Sequence, residues 1–159
     1  MNTERLYTWI GDHSWAYDAI ASLAGYRKSV EQFVAILAEH ANGSIRRILD
    51  AGCGTGQYSR AALLQFPSAE VVAFDLQRSM VEASHAKLQR DNLLDRATLF
   101  AADITGPLGE LDGEQFDAII TGGVLEHVPI EEVVQNLSRF LTPGGTSLIH
   151  QLGIRFLEN

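Results

Sequence analysis

The run Ile45 to Ile48 leads into Leu49-Asp50-Ala51-Gly52-Cys53-Gly54-Thr55-Gly56 and then into a helical stretch, Tyr58 to Phe66. That order reads as strand, glycine turn, helix. Glycines spaced G-x-G-x-G let the backbone turn sharply and approach a ligand more closely than any Cβ allows, and the helix N-terminus behind them offers free N–H donors. A plain tight connection is the competing reading of such a turn. Position 57 is Gln, where the dinucleotide fingerprint G-x-G-x-x-G carries its third glycine, so the match to a nicotinamide site breaks there. Asp50, just ahead of the first glycine, sits badly beside a pyrophosphate and well beside a cation. The loop therefore suits a nucleoside bearing positive charge.

The next acids fall where such a loop needs them. Val71-Val72-Ala73-Phe74-Asp75 is a buried-strand pattern ending in a carboxylate, positioned for the hydroxyls of a ribose. Thr98 to Asp103 repeats the design, with Asp103 able to accept from an exocyclic amine. Phe116 to Gly123 makes a fourth strand with a second glycine opening, and Pro143-Gly144-Gly145 turns into a fifth, Thr146 to Ile149. Between the strands lie helical stretches at Gln57 to Phe66, Arg78 to Arg90 and Ile130 to Phe140. Another helix, carrying Val30, Phe33, Val34, Ile36 and Leu37, precedes the first strand and ends at Asn42-Gly43. Such alternation predicts a doubly wound parallel α/β sheet with right-handed crossovers, whose ligand lies outside the carboxyl ends of the strands. Gly106 to Gly113 reads as an acidic surface loop.

Five ordered motifs, LDAGCGTG, the acid of VVAFD, AAD, FDAIITGGVLEHV and LTPGG, give residues 45–149 a resemblance to the class I S-adenosylmethionine-dependent methyltransferases. The resemblance implies a Rossmann-like sheet of order 3-2-1-4-5, S-adenosylmethionine as cofactor, S-adenosylhomocysteine as product, and a small-molecule acceptor methylated at oxygen, nitrogen or carbon. Carried over by position, it sets Gly52, Cys53, Gly54 and Gly56 in the loop against the methionine and ribose part, with Asp50 near the amino group or its water. Asp75 would bind the ribose hydroxyls, Leu76 would lie on the adenine face, and Ala102, Asp103 and Ile104 would frame the adenine. Backbone at Thr121 and Gly122 would face the methionyl portion. Tyr7, Trp15, Tyr17 and Tyr26 belong to the segment that folds over the cofactor in many relatives; Tyr17 and Tyr26 are the preferred contacts, with Arg27 as partner for the methionine carboxylate.

His127, after the fourth strand, is the candidate general base, because imidazole titrates near neutrality; the competing reading has Glu126 and His127 simply opening the next helix. Some metal-dependent relatives carry E-x-x-E-H here. Gly123 replaces the first acid, so no metal site is expected. His13, His85 and His150 read as surface or packing residues, with His13 a possible lining of an acceptor pocket. A non-catalytic cofactor-binding module, or a fragment serving a larger protein or complex, is the alternative to an enzyme.

Composition fits one domain, with 1–44 as a helical cap and 45–159 as the core; 46% of the 159 residues are hydrophobic. A net charge of −8 argues against nonspecific nucleic-acid binding, and the lone Cys53 cannot form an internal disulfide, which fits a reducing compartment. No apolar run in the first twenty residues resembles a signal or a membrane span, so a cytoplasmic location is expected. In the implied strand order Thr146 to His150 forms a sheet edge. It calls for cover by further chain, for which the apolar tail Leu152, Ile154, Phe156 and Leu157 argues, or by a second copy, unless the domain is naturally short.

Overall fold

The computed structural model describes residues 13–41, 43–125 and 128–150. Five parallel strands, β1 (Arg47–Ala51), β2 (Glu70–Asp75), β3 (Ala97–Ala101), β4 (Phe116–Gly122) and β5 (Leu141–His150), form one sheet in the order β3-β2-β1-β4-β5. This is the Rossmann-like topology expected. Five α-helices accompany it: α1 (Ser14–Ala21), α2 (Ala24–His40), α3 (Gln57–Gln65), α4 (Arg78–Arg90) and α5 (Ile130–Ser138).

The strands read as apolar runs because both faces of the sheet are covered. On one face Val30, Val34 and Leu37 of α2, Ala61, Ala62 and Leu63 of α3 and Leu88 of α4 pack against Ile48, Val71, Ala73, Ala118 and Ile120. On the other, Val133 and Leu137 of α5 meet Leu49, Ala51, Phe74, Phe116 and Ile119. The stretch 106–113 belongs to this second core. Its acidic residues are exposed, but Leu108 and Leu111 are buried under the sheet, so it is a covering segment and not only a surface loop. The fifth strand also starts earlier than its composition predicts. Phe116 pairs with Leu141 and Ala118 with Thr146, so Thr142-Pro143-Gly144-Gly145 is looped out as a bulge within β5, with Gly144 at φ +85°.

Arg96 fixes the far end of α3. Its guanidinium donates to the carbonyls of Leu63 (2.9 Å), Phe66 (3.2 Å) and Ala69 (2.9 Å), satisfying acceptors that a helix C-terminus leaves open and placing positive charge at its negative end. Hydrogen bonds from a charged donor are each worth roughly 1.5–3 kcal/mol, and their net loss in Arg96→Ala should cost about 2 kcal/mol. Scanning calorimetry should record a fall of about 4–8 °C in Tm; an unchanged Tm would show that water serves those carbonyls as well.

Candidate functional site

β1 and β4 meet where the order of strands reverses, so the segments leaving their carboxyl ends diverge and open a crevice. The β1–α3 turn floors it. Gly52, Gly54 and Gly56 have φ of +81°, +52° and +80°, the left-handed region that side chains disfavour. Close packing adds a second requirement at Gly56, where a Cβ would lie 2.3 Å from Ser84 Oγ of α4. The turn is pulled onto β2 by the amides of Gly52 and Cys53, both donating to the Phe74 carbonyl at 2.9 Å, and by Gly54 N–H donating to Asp75 Oδ2 at 2.9 Å. Cys53 is buried beneath it. Burial, with Asp50 and Asp75 nearby, pushes its thiol up, which keeps the sulfur protonated and inert.

Asp75 thus does two things at the end of β2. Its Oδ2 clips the glycine turn and its Oδ1 accepts from Gln77 N–H at 2.9 Å, leaving each oxygen a lone pair for a further donor. Burial raises its pKa, an effect these two amides offset only in part. Leu76 beside it is 63% exposed, an apolar surface open to a planar ring. Across from it, Ala102 N–H donates to the Asp75 carbonyl at 3.0 Å, and Ile104 is buried in the second core. Asp103 is exposed. Its Oδ1 already accepts from Thr105 N–H (2.9 Å) and Thr105 Oγ1 (2.7 Å), so only the remaining lone pairs face outward.

Asp50 is the most unusual group. It is 1% exposed; Ser59 Oγ donates to Oδ2 at 2.5 Å, while Oδ1 has no hydrogen-bonding partner among the described residues. Burial pushes its pKa up to about 7, with Ser59 opposing and the charge of Asp75 adding. Tyr58, the second residue of α3, lies close by; burial raises the pKa of its phenol, and Tyr26, Asp50 and Tyr17 contribute. The Tyr58 hydroxyl is hydrogen-bonded to His150 Nδ1, and the His150 ring stacks on Phe33 at 3.7 Å between centroids. His150 is therefore a packed residue at the end of β5, in register with Gly122.

Thr121 and Gly122 end β4 as expected, but their surroundings are tighter than the loop pattern suggests. The Tyr58 ring presses on Gly122, where a Cβ would fall 2.2 Å from Cε2, and Val124 packs over Gly52, where a Cβ would fall 2.3 Å from Cγ2. Tyr17 reaches the turn, its Cε1 3.7 Å from the Cβ position of Gly54, and Tyr26 packs against the first core. Arg27 does not join them: its Nε donates to Glu31 Oε1 at 3.1 Å on the exposed side of α2, where an i,i+4 partner is within easier reach. Trp15 is largely exposed. Tyr7, Glu126, His127 and the tail from Gln151 lie outside the described residues.

Two contributors escape sequence reasoning. Tyr58 carries no motif, though an aromatic at the second position of the helix behind a glycine turn is a usable signal. Lys87 and Asp18 form an ion pair across 69 residues, with Lys87 Nζ also 3.4 Å from Thr55 Oγ1 and Gln57 Nε2 3.3 Å from Asp18 Oδ1. Their trace in sequence is that Lys87 falls in the buried stripe Met80, Ser84, Lys87, Leu88 of α4.

Residues 48–145 match a family described as a methyltransferase domain, and the chain belongs to that family. It is 28% identical over 155 residues to a malonyl-[acyl-carrier protein] O-methyltransferase of Priestia megaterium, covering 96% of this chain and 53% of that protein. To the ubiquinone/menaquinone biosynthesis C-methyltransferase UbiE of Syntrophotalea carbinolica it is 33% identical over 135 residues, 84% of this chain and 55% of that one. A candidate S-adenosyl-L-methionine-dependent methyltransferase of Methanococcus maripaludis has the same fold, with TM-score 0.73 at 18% identity over 87% of this chain and 62% of that one. The chain spans about half the length of the two curated relatives. The family's cofactor is S-adenosylmethionine. The residues present fit it: Asp50 Oδ1 is a buried acceptor without a donor, the requirement that an ammonium or its water meets, and Asp75 and Leu76 offer adjacent polar and apolar surfaces.

Proposed function

We propose that this chain binds S-adenosylmethionine at the carboxyl ends of β1, β2 and β4 and that the protein transfers its methyl group to a small-molecule acceptor. The orphaned Oδ1 of Asp50 beneath a three-glycine turn is the observation that carries this reading, since a dinucleotide pyrophosphate has no use for a buried carboxylate there. When bound, S-adenosylmethionine supplies a methyl carbon on a positively charged sulfur. The protein's own work is then alignment and exclusion of water. In this proposal Asp75 accepts from the ribose hydroxyls while holding the turn through Gly54, Leu76 lies on the adenine, and Asp50 meets the amino group. The helices before residue 45 act as a cap, with Tyr17 and Tyr26 over the methionyl part. His127 is proposed as general base for acceptors that must lose a proton. The two curated relatives are named for methylation at oxygen and at carbon, which supports a small acceptor without selecting the atom.

Calorimetric titration tests the binding: S-adenosylmethionine and S-adenosylhomocysteine should bind and NAD should not, and the reverse preference would sink the reading. Formation of S-adenosylhomocysteine with a panel of hydroxyl, amine and carbon acceptors separates an enzyme from a non-catalytic module.

Asp50 makes the binding pH-dependent. With a pKa near 7 the free protein holds Asp50 largely protonated at pH 6, and a cation placed beside it favours the ionised form. Binding must then release a proton below neutrality. Affinity should rise from pH 5 towards pH 7, by up to about tenfold per pH unit, and level off above. Asp50→Asn should remove the slope. A flat wild-type profile would mean that no positive group approaches Asp50.

A further inference from the structure

We infer that Asp18 and Lys87 are positioning residues that clasp α1 onto the glycine turn, so that cofactor affinity depends on an ion pair outside the crevice. The inference rests on the proposed function for the identity of the ligand, but the clasp itself is geometric. Lys87 rises from α4 with its side chain 5% exposed and pairs with Asp18 of α1, whose side chain is 31% exposed. Its second contact is Thr55 of the turn, at 3.4 Å. Gln57, the first residue of α3, donates from Nε2 towards Asp18 Oδ1 (3.3 Å) and Ser22 Oγ (3.4 Å), so the end of α1 is tied to the turn twice. Tyr17 is the neighbour of Asp18, and its ring stands over Gly54.

Helix α1 has little else to hold it. It is eight residues long, too short to be stable alone, and of its described residues only Ala21 is buried in the core. A buried lysine is costly unless paired, and burial lowers the pKa of Lys87 against the opposing pull of Asp18. Asp18 is the carboxylate that compensates it. The pair therefore sets where α1 lies and, through α1, where Tyr17 meets the turn.

Lys87→Met fills the buried space without the charge, and Asp18→Asn removes the charge from the other side. Either should raise the Kd of S-adenosylmethionine about tenfold or more by calorimetry, while Lys87→Arg should stay within about threefold of wild type. In the ligand-free proteins, amide exchange over residues 14–22 should quicken in both charge-removing variants while β1 and β4 keep their protection. Unchanged exchange over 14–22, an affinity within twofold of wild type in both variants, or parallel loss of protection in β1 and β4 would overturn the clasp. If Lys87→Met does not fold, Asp18→Asn decides by the same readings. Absence of binding by the wild-type chain would instead count against the proposed function, with the exchange comparison still deciding the clasp.

Discussion

Replacing Gly56 by alanine should destabilise the protein by about 3 kcal/mol, the sum of a left-handed backbone penalty and overpacking in a filled space. The residue sits at φ +80° and ψ 26°, immediately before α3. A Cβ there meets Ser84 Oγ at 2.3 Å, Ser84 Cβ at 3.0 Å and Ser84 Cα at 3.2 Å. The hydroxyl can rotate, but the α-carbon can retreat only if α4 moves, and α4 is anchored in the core through Leu88. Thermal unfolding should shift down by roughly 6–12 °C for a chain of this size. Adding Ser84→Gly should recover the packing part and leave the backbone part, so the double variant should fall between. If Gly56→Ala melts with the wild type, the turn does not press on α4.

Asp75→Asn should weaken binding of S-adenosylmethionine by about 1.5–3 kcal/mol, the range for hydrogen bonds to a charged group, equivalent to about 10- to 150-fold in Kd. Two effects combine. The amide has one acceptor oxygen in place of two, so it can serve Gly54 N–H or Gln77 N–H but sets its NH2 group against the other. The lone pairs proposed for the ribose diol are reduced at the same time. A deoxyribose analogue of the cofactor separates these effects: it should lose affinity for the wild type and much less for the variant. Equal losses in both proteins would remove Asp75 from the diol.

Much of this arrangement is legible in the chain because it is locally encoded. Helix α4 spans Arg78–Arg90, the range its sequence predicts, and the four acids and glycine openings fall at the strand ends because a parallel sheet puts every βα turn on one side. Where local cues mislead, tertiary packing has outweighed them. Pro143-Gly144-Gly145 has turn chemistry and makes a turn-like bulge, yet pairing on either side of it extends β5 back to Leu141. The polar stretch 106–113 looks solvated because its leucines are three apart among glycine and acids, and those two leucines are what the second core needs. Arg27 is drawn to a partner one helical turn away. The Asp18–Lys87 pair has no local signature beyond a lysine in an apolar stripe.

The seating of the Tyr58 ring against Gly122 ties two positions 64 residues apart into a single size constraint. Neither can change volume alone: a methyl at 122 evicts the ring, and a small residue at 58 opens a void beside Asp50. A paired exchange, bulk moved from 58 to 122, would conserve the filling while removing the phenol that meets His150, which makes the couple a natural lever for reshaping the chamber without touching its floor.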